Sequence, residues 1–230
     1  MILKKIVAYL KYKTGLSGTL PAFVINGVRV SENNEPLVDI KKCGVDLFFG
    51  DRLKNEKSVF LRKSVADKIV RVAKSLPKGT FLIIYDAYRS LERQTDLWNA
   101  KYEYFRKLHP DESEEQIVRR TRAVVADPRR GYGGHQTGGA TDVGLCDKDG
   151  HELDMGTAYS STGPAIRTSF PVEPGALSNR QILYCAMKNQ GFVNYPNEWW
   201  HFCYGDKMWA AYSNKSKCFY GLADEHLIER

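Results

Sequence analysis

Long apolar runs are missing from this chain of 230 residues; the longest, such as Phe81-Leu82-Ile83-Ile84-Tyr85, cover only a few positions. A membrane-crossing helix needs roughly 18 or more, so no span is expected. Cysteine is sparse and odd in number, at positions 43, 146, 185, 203 and 218, with no C-x-x-C. That argues against a disulfide framework and for a reducing compartment. The opening MILKKIVAYLKYK imitates a secretory leader. Its apolar stretch is shorter than the ~7–15 residues of a leader core, and no small-residue cleavage site follows. A short amphipathic helix and a cytoplasmic protein are expected, or a periplasmic one if a natural leader precedes. Internal repeats and low-complexity tracts are also lacking.

What is present is an ordinary globular mixture, long enough for one domain over 1–230 with a substantial core. Lys and Arg outnumber Asp and Glu by 34 to 27, a formal charge of +7. The basic residues are dispersed, which argues against a nucleic-acid surface. An anionic substrate or an acidic cell-wall surface would use the same charge. Nothing in the sequence speaks to oligomeric state.

Residues 22–30 alternate around Asn26-Gly27 and predict a hairpin. Val65, Ile69, Val72, Ala73 and Leu76 stand at helical spacing over 61–76, closed by Pro77 and Gly79. Phe81–Asp86 reads as a buried strand. Ser90 caps a second helix to about Leu108, and a third runs from Asp111 or Ser113 to near Asp127-Pro128. The stretch 129–139 holds five glycines in eleven residues and cannot be a regular element. Ala140–Leu145 is expected as a strand, Ser178 as the cap of a fourth helix ended by Gly191, and Trp199–Tyr204 as another strand. The pattern predicts an α+β fold with a mostly antiparallel central sheet flanked by helices.

Two of the five histidines keep unusual company. His135 is read as opening a strand behind the glycine-rich loop, with Asp142 farther along it, and His201 closes Asn197-Glu198-Trp199-Trp200-His201. A hydrolytic zinc wants three ligands of the His/His/carboxylate kind, an open position, and a further carboxylate to take a proton from water. His135, Asp142 and His201 supply such a set, Glu198 such a base, and Gly138, Gly139 and Ala140 would let the backbone fold tightly. A histidine facing an aspartate equally suits a structural hydrogen bond.

His135 to Asp142 fits H-x-x-G-x-A-x-D, Glu198 to His201 fits E-x-W-H, and Asp86-Ala87-Tyr88-Arg89 fits D-x-Y-R. Together these resemble the D-alanyl-D-alanine dipeptidases of the vancomycin-resistance type, among the zinc D,D-peptidases that share a fold with the Hedgehog signalling domain. The resemblance runs from about 45 to 205 and includes Asp154-Met155-Gly156-Thr157. It implies one zinc per chain held by His135, Asp142 and His201, Glu198 as general base, and Arg89 as the cation for the oxyanion. The implied substrate is a small peptide like D-Ala-D-Ala.

Two positions depart from the family. Gly133 stands where a serine is usual, and Ser160, after Tyr159, stands where an acidic residue usually meets the substrate ammonium. A hydroxyl cannot replace that charge pairing. A D,D- or L,D-carboxypeptidase that trims peptidoglycan stems is therefore the neighbouring reading, and a non-catalytic domain of the same fold the third. Simpler readings also stand: Arg89 paired with Glu92, Asp86 as a supporting carboxylate, and Trp199 and Trp200 as wall and core, with Trp200 a candidate substrate contact. Tyr132 and Gln136 border the site in sequence, and Cys203 is expected to be an inert packing thiol.

Overall fold

The computed structural model describes residues 6, 7, 9, 10, 12, 18–131 and 133–229. The expected opening helix as a whole, and Tyr132, lie outside the described residues.

Nine short strands and seven α-helices make up the described chain: α1 (Ala22–Asn26), β1 (Arg29–Val30), β2 (Leu37–Asp39), β3 (Leu47–Phe49), α2 (Asp51–Lys54), β4 (Phe60–Arg62), α3 (Lys63–Ser75), β5 (Phe81–Asp86), α4 (Leu91–Leu108), α5 (Glu114–Arg122), β6 (Ala140–Cys146), α6 (Pro174–Asn189), β7 (Val193–Asn194), β8 (His201–Cys203), α7 (Lys207–Tyr212) and β9 (Lys217–Cys218). Five strands form the central sheet in the order β3-β5-β6-β8-β7. Only β3 and β5 run parallel there; the other pairings are antiparallel, as the sequence predicts. Helices α3 and α6 pack on the sheet. Val65, Ile69 and Val72 are fully buried in the same cluster as Leu82, Ile84, Val143 and Leu145.

Residues 22–30 are not a hairpin. Gly27 is right-handed at φ −75°, so no type I′ turn forms. Pro21 instead caps a helical turn in which the Gly27 amide donates to the Phe23 carbonyl at 3.1 Å. That turn packs on α7, and β1 pairs in parallel with β9 rather than with its sequence neighbour. Long-range packing overrides the alternation.

Three boundaries also shift. Helix α6 starts at Pro174, not at Ser178; proline suits the first helical turn because its missing N–H would have no partner there. Strand β8 begins at His201, since residues 199–200 form a turn. Helix α5 carries the expected Ser113 capping box but stops at Arg122.

Past that end, Asp127 takes over as an anchor. It accepts from Arg129 Nε at 2.9 Å and from Arg122 Nη2 at 2.8 Å. The bonds from Arg129 and then Arg122 outweigh burial and hold its carboxyl below the usual range. A carboxyl depressed on folding stabilises the fold above its unfolded pKa, about 3.9, and loses that contribution as pH falls. Asp127→Asn should therefore unfold at a lower temperature than wild type at neutral pH. Thermal melts recorded between pH 7 and 2.5 should show the gap closing below about pH 4. A gap independent of pH would contradict the ion-pair account.

Candidate active site

Strand register assembles most of the site. Asp142 on β6 stands opposite Asp86 on β5 and opposite His201 on β8. Residues paired across neighbouring strands share a face, so three polar side chains line up over the sheet at one level. A register irregularity between Ile84 and Asp86 brings Asp86 into that row.

His135 arrives from outside the sheet. It does not open a strand: residues His135–Thr137 form a 3-10 turn before β6. The turn needs its glycines. Gly138 is left-handed at φ +70°, and a Cβ on Gly139 would lie 2.5 Å from the Tyr204 carbonyl oxygen. Arg62, wholly buried, donates through Nε to the Thr137 carbonyl at 2.7 Å and secures the turn from behind. The Arg89 amide donates to the His135 carbonyl at 3.1 Å, tying the turn to the end of β5.

The result is a compact donor cluster. One ligand-type atom each from His135, Asp142 and His201 lies within 4.8 Å of the others. His201 Nδ1 is 2.9 Å from Asp142 Oδ1, and His135 Nε2 is 3.4 Å from the same oxygen. His135 Nδ1 sits 2.8 Å from the Ala87 carbonyl oxygen. That contact fixes a protonated Nδ1 and leaves Nε2 free to ligate, the usual support for a metal-binding imidazole. Two imidazoles and one carboxylate suit a borderline cation such as zinc. Burial opposes ionisation of Asp142, but the adjacent His135 and His201 hold its carboxyl well below the usual range. Burial likewise opposes protonation of His201, and the Asp142 contact pushes it up to about 9.

Glu198 has the opposite environment. Burial raises its pKa above the ordinary carboxylate value, against the pull of His201. Backbone bonds fix its turn: the Glu198 amide donates to Tyr195 O at 3.0 Å, and Asn194 Nδ2 donates to Glu198 O at 3.0 Å. A half-buried carboxylate with a raised pKa is suited to moving a proton.

Arg89 is bonded to Asp86 and, at 2.7 Å, to Gln94 Oε1; it is not held by Glu92. Gln94 in turn donates to Ala126 O at 2.8 Å and accepts from Gln136 Nε2 at 3.1 Å. Asp86 also pairs with Arg52 of α2. Burial opposes its ionisation, yet His135 and the two guanidinium groups keep it charged. Arg89 Nε is buried without an acceptor. Arg52, Gln94 and the role of Gln136 escape a reading of the sequence, because no spacing links them to Asp86 and Arg89.

The remaining candidates divide. Tyr159 Oη donates to Asp142 Oδ2 at 3.1 Å, and the buried Trp200 packs edge-on against the Tyr159 ring. Ser160 is exposed, with φ +61°. Gly133 is exposed too, its amide bonded to Gln136 Oε1 at 2.8 Å. Cys203 is buried among apolar residues, and burial raises its thiol well above the usual value, as expected for a packing cysteine. The five cysteines are free, and among the described residues no helix is long and apolar enough to cross a membrane.

Residues 38–221 match the family model described as D-ala-D-ala dipeptidase. The chain is similar to the D-alanyl-D-alanine dipeptidase of Escherichia coli (strain K12), 32% identical over 170 residues, which are 72% of this chain and 77% of that protein. It is similar also to the D-alanyl-D-alanine dipeptidase of Synechocystis sp. (strain ATCC 27184 / PCC 6803 / Kazusa), 33% identical over 88 residues, 33% of this chain and 36% of that one. Among solved structures, a mutant of the vancomycin-resistance D,D-pentapeptidase VanY in complex with Zn(II) aligns at 18% identity and a TM-score of 0.44. The alignment covers 71% of this chain and 83% of that one.

Proposed function

The chain belongs to the D-Ala-D-Ala dipeptidase family of peptidases, and from that premise we propose that it hydrolyses D-Ala-D-Ala or a related short D-amino-acid peptide with one zinc ion per chain. The observation that carries the reading is the His135–Asp142–His201 donor cluster with Glu198 beside it. His135, Asp142 and His201 would hold the metal. When bound, zinc supplies a Lewis acid for the scissile carbonyl and lowers the pKa of water.

The protein's own groups do the rest. Glu198 takes a proton from the attacking water and delivers it to the leaving amine, so the carboxylate is regenerated after each turnover. Arg89 donates to the oxygen that gains negative charge as the carbonyl is attacked. Asp86 and Gln94 fix the guanidinium from two sides, so little reorganisation is needed when the charge develops. Tyr159 holds the second oxygen of Asp142 and stays protonated, since burial and the neighbouring Asp142 push its phenol far up.

Purified protein incubated with D-Ala-D-Ala, L-Ala-D-Ala and a pentapeptide stem tests the proposal directly. Released D-alanine should disappear with a chelator and return with added zinc. Release that ignores the chelator, or none from any D-alanyl peptide, would overturn it.

The uncharged Ser160 supports the longer-substrate reading, carboxypeptidase trimming of stem peptides, beside the dipeptidase one. The left-handed backbone at Ser160 accommodates aspartate better than most residues. Ser160→Asp should therefore fold normally and shift preference toward the free dipeptide, through a lower KM. The gain expected of a charge-assisted pairing is roughly 1.5–3 kcal/mol, read as the ratio of kcat/KM for free and N-acetylated D-Ala-D-Ala. An unchanged ratio would show that position 160 does not face the substrate amine.

A further inference from the structure

The turn that delivers His135 belongs to no strand or α-helix, so its shape depends on how its carbonyls are held. Each carbonyl from His135 to Gly139 accepts a bond from a distant segment. The Arg89 amide donates to His135 O at 3.1 Å, the Ala223 amide to Gln136 O at 2.9 Å and the Tyr204 amide to Gly139 O at 2.8 Å. Arg62 takes the two between, through Nε to Thr137 O at 2.7 Å and through its own amide to Gly138 O at 3.0 Å. Four of these donors are backbone N–H groups, which a side-chain substitution leaves in place. The fifth is the Arg62 guanidinium, the one donor among them that depends on residue identity.

A wholly buried guanidinium keeps its place when its charge and its donors are both met. Glu32 meets the charge as a fork, with Oε1 3.1 Å from Nη1 and Oε2 3.2 Å from Nη2. Nη1 also donates to the Glu35 carbonyl at 2.6 Å, and the guanidinium lies over the Tyr220 ring, 5.0 Å from its centre. Glu32 is itself tied down, since its Oε2 accepts from the Gly221 amide. A continuous path therefore runs from a half-buried carboxylate, through a buried cation, to the turn that carries His135. Glu32 precedes residues 38–221, the span that matches the family model. The carboxylate comes from a segment outside that span.

The three donors of the cluster are not equally secure. Asp142 and His201 sit opposite each other on paired strands. His135 has no such ladder: its ring is held by the Ala87 carbonyl at 2.8 Å, and its backbone by the turn. Releasing Thr137 frees the turn next to Gly138, the residue with the widest backbone freedom. The His135 Nε2, 3.4 Å from Asp142 Oδ1, is then the donor whose place is lost.

On the reading of His135, Asp142 and His201 as a zinc site, we infer that Arg62 is a positioning residue of that site and that Glu32 acts on it through Arg62. Together they fix the His135 turn, and so set metal affinity and ligand geometry, without touching metal or substrate.

The test uses the full chain, stripped of metal and reloaded. Zinc affinity is read by competition with a chromogenic chelator, and ligand geometry by the visible bands of cobalt(II) in the same site. Melting of the metal-free protein is recorded alongside. Arg62→Met keeps the apolar stem and loses the donors. It should bind zinc about ten-fold more weakly, the low end for loss of a group that orients a metal ligand, and shift the cobalt bands. Arg62→Lys should recover part of the affinity, since an ammonium keeps the charge but not the fork. Glu32→Gln keeps an acceptor for the Gly221 amide and loses the charge, and should weaken zinc by about three-fold with a band shift in the same direction. Glu35→Gln is the control, because the Glu35 carboxylate bonds Ser64 and Tyr220 and not the turn. It should lower the melting temperature and leave affinity and bands as in wild type.

A lower melting temperature for Arg62→Met with wild-type zinc affinity and cobalt bands would reduce Arg62 to a structural residue and overturn the inference. If Arg62→Met does not fold, Glu32→Gln decides: unchanged affinity and bands there would overturn it as well. Either result leaves the zinc reading standing. Wild type that takes up neither metal would remove the zinc reading and the inference together.

Discussion

Glu198→Gln should retain its zinc and lose turnover by roughly 10²–10⁴-fold, the usual worth of a general acid–base group. The amide keeps the shape of the side chain but cannot accept a proton from water or return one to the leaving amine. Because Glu198 is no member of the three-atom donor cluster, the metal has no reason to leave. The loss should fall on kcat more than on KM, since the proton moves only as the transition state forms. Metal analysis and steady-state kinetics on the same preparation check both halves. Parallel loss of zinc and activity would make Glu198 a ligand, and near-normal turnover would remove it from the chemistry.

Arg89→Met should cost about 10²–10³-fold in kcat, the typical loss when one donor to a developing oxyanion is removed. Lysine should rescue little. The guanidinium is held by Asp86 on one side and Gln94 on the other, and an ammonium reproduces neither the fork nor its planar geometry. Gln94→Leu separates placement from charge. It leaves the guanidinium held by Asp86 alone, so kcat should fall by less than for Arg89→Met while zinc content stays constant. Equal activity of wild type and Arg89→Met, with substrate saturating, would mean that the oxyanion is stabilised elsewhere.

How much of this was legible in the sequence depends on the range of the interactions. Helix α4 was readable because Ser90 caps it locally and its apolar spacing is regular. Strands β5 and β6 were readable as short apolar runs bounded by turn residues. The three-motif pattern pointed to His135, Asp142, Glu198, His201 and Arg89; the structure brings donor atoms of His135, Asp142 and His201 together and bonds Arg89 to Asp86 and Gln94. Pattern could not reveal how. The Asp86–Asp142–His201 row depends on strand register between segments far apart in the chain, and register leaves no local mark. Arg52 reaches Asp86 from a four-residue helix that carries no motif. The hairpin expected at 22–30 failed for a related reason. Its alternation was real, but the strand found its partner at 217–218, leaving Pro21 to start a helix instead.

Zinc content tests the central claim most directly. Wild type and the single substitutions His135→Ala, Asp142→Ala and His201→Ala should be loaded with zinc, desalted and measured by elemental analysis. Circular dichroism on each sample confirms that the fold persists. Wild type should retain about one zinc per chain, and each substitution should lose most of it, because three protein ligands are the minimum for a tight catalytic site. Stoichiometric zinc retained by a folded variant lacking any one of the three would contradict the assignment.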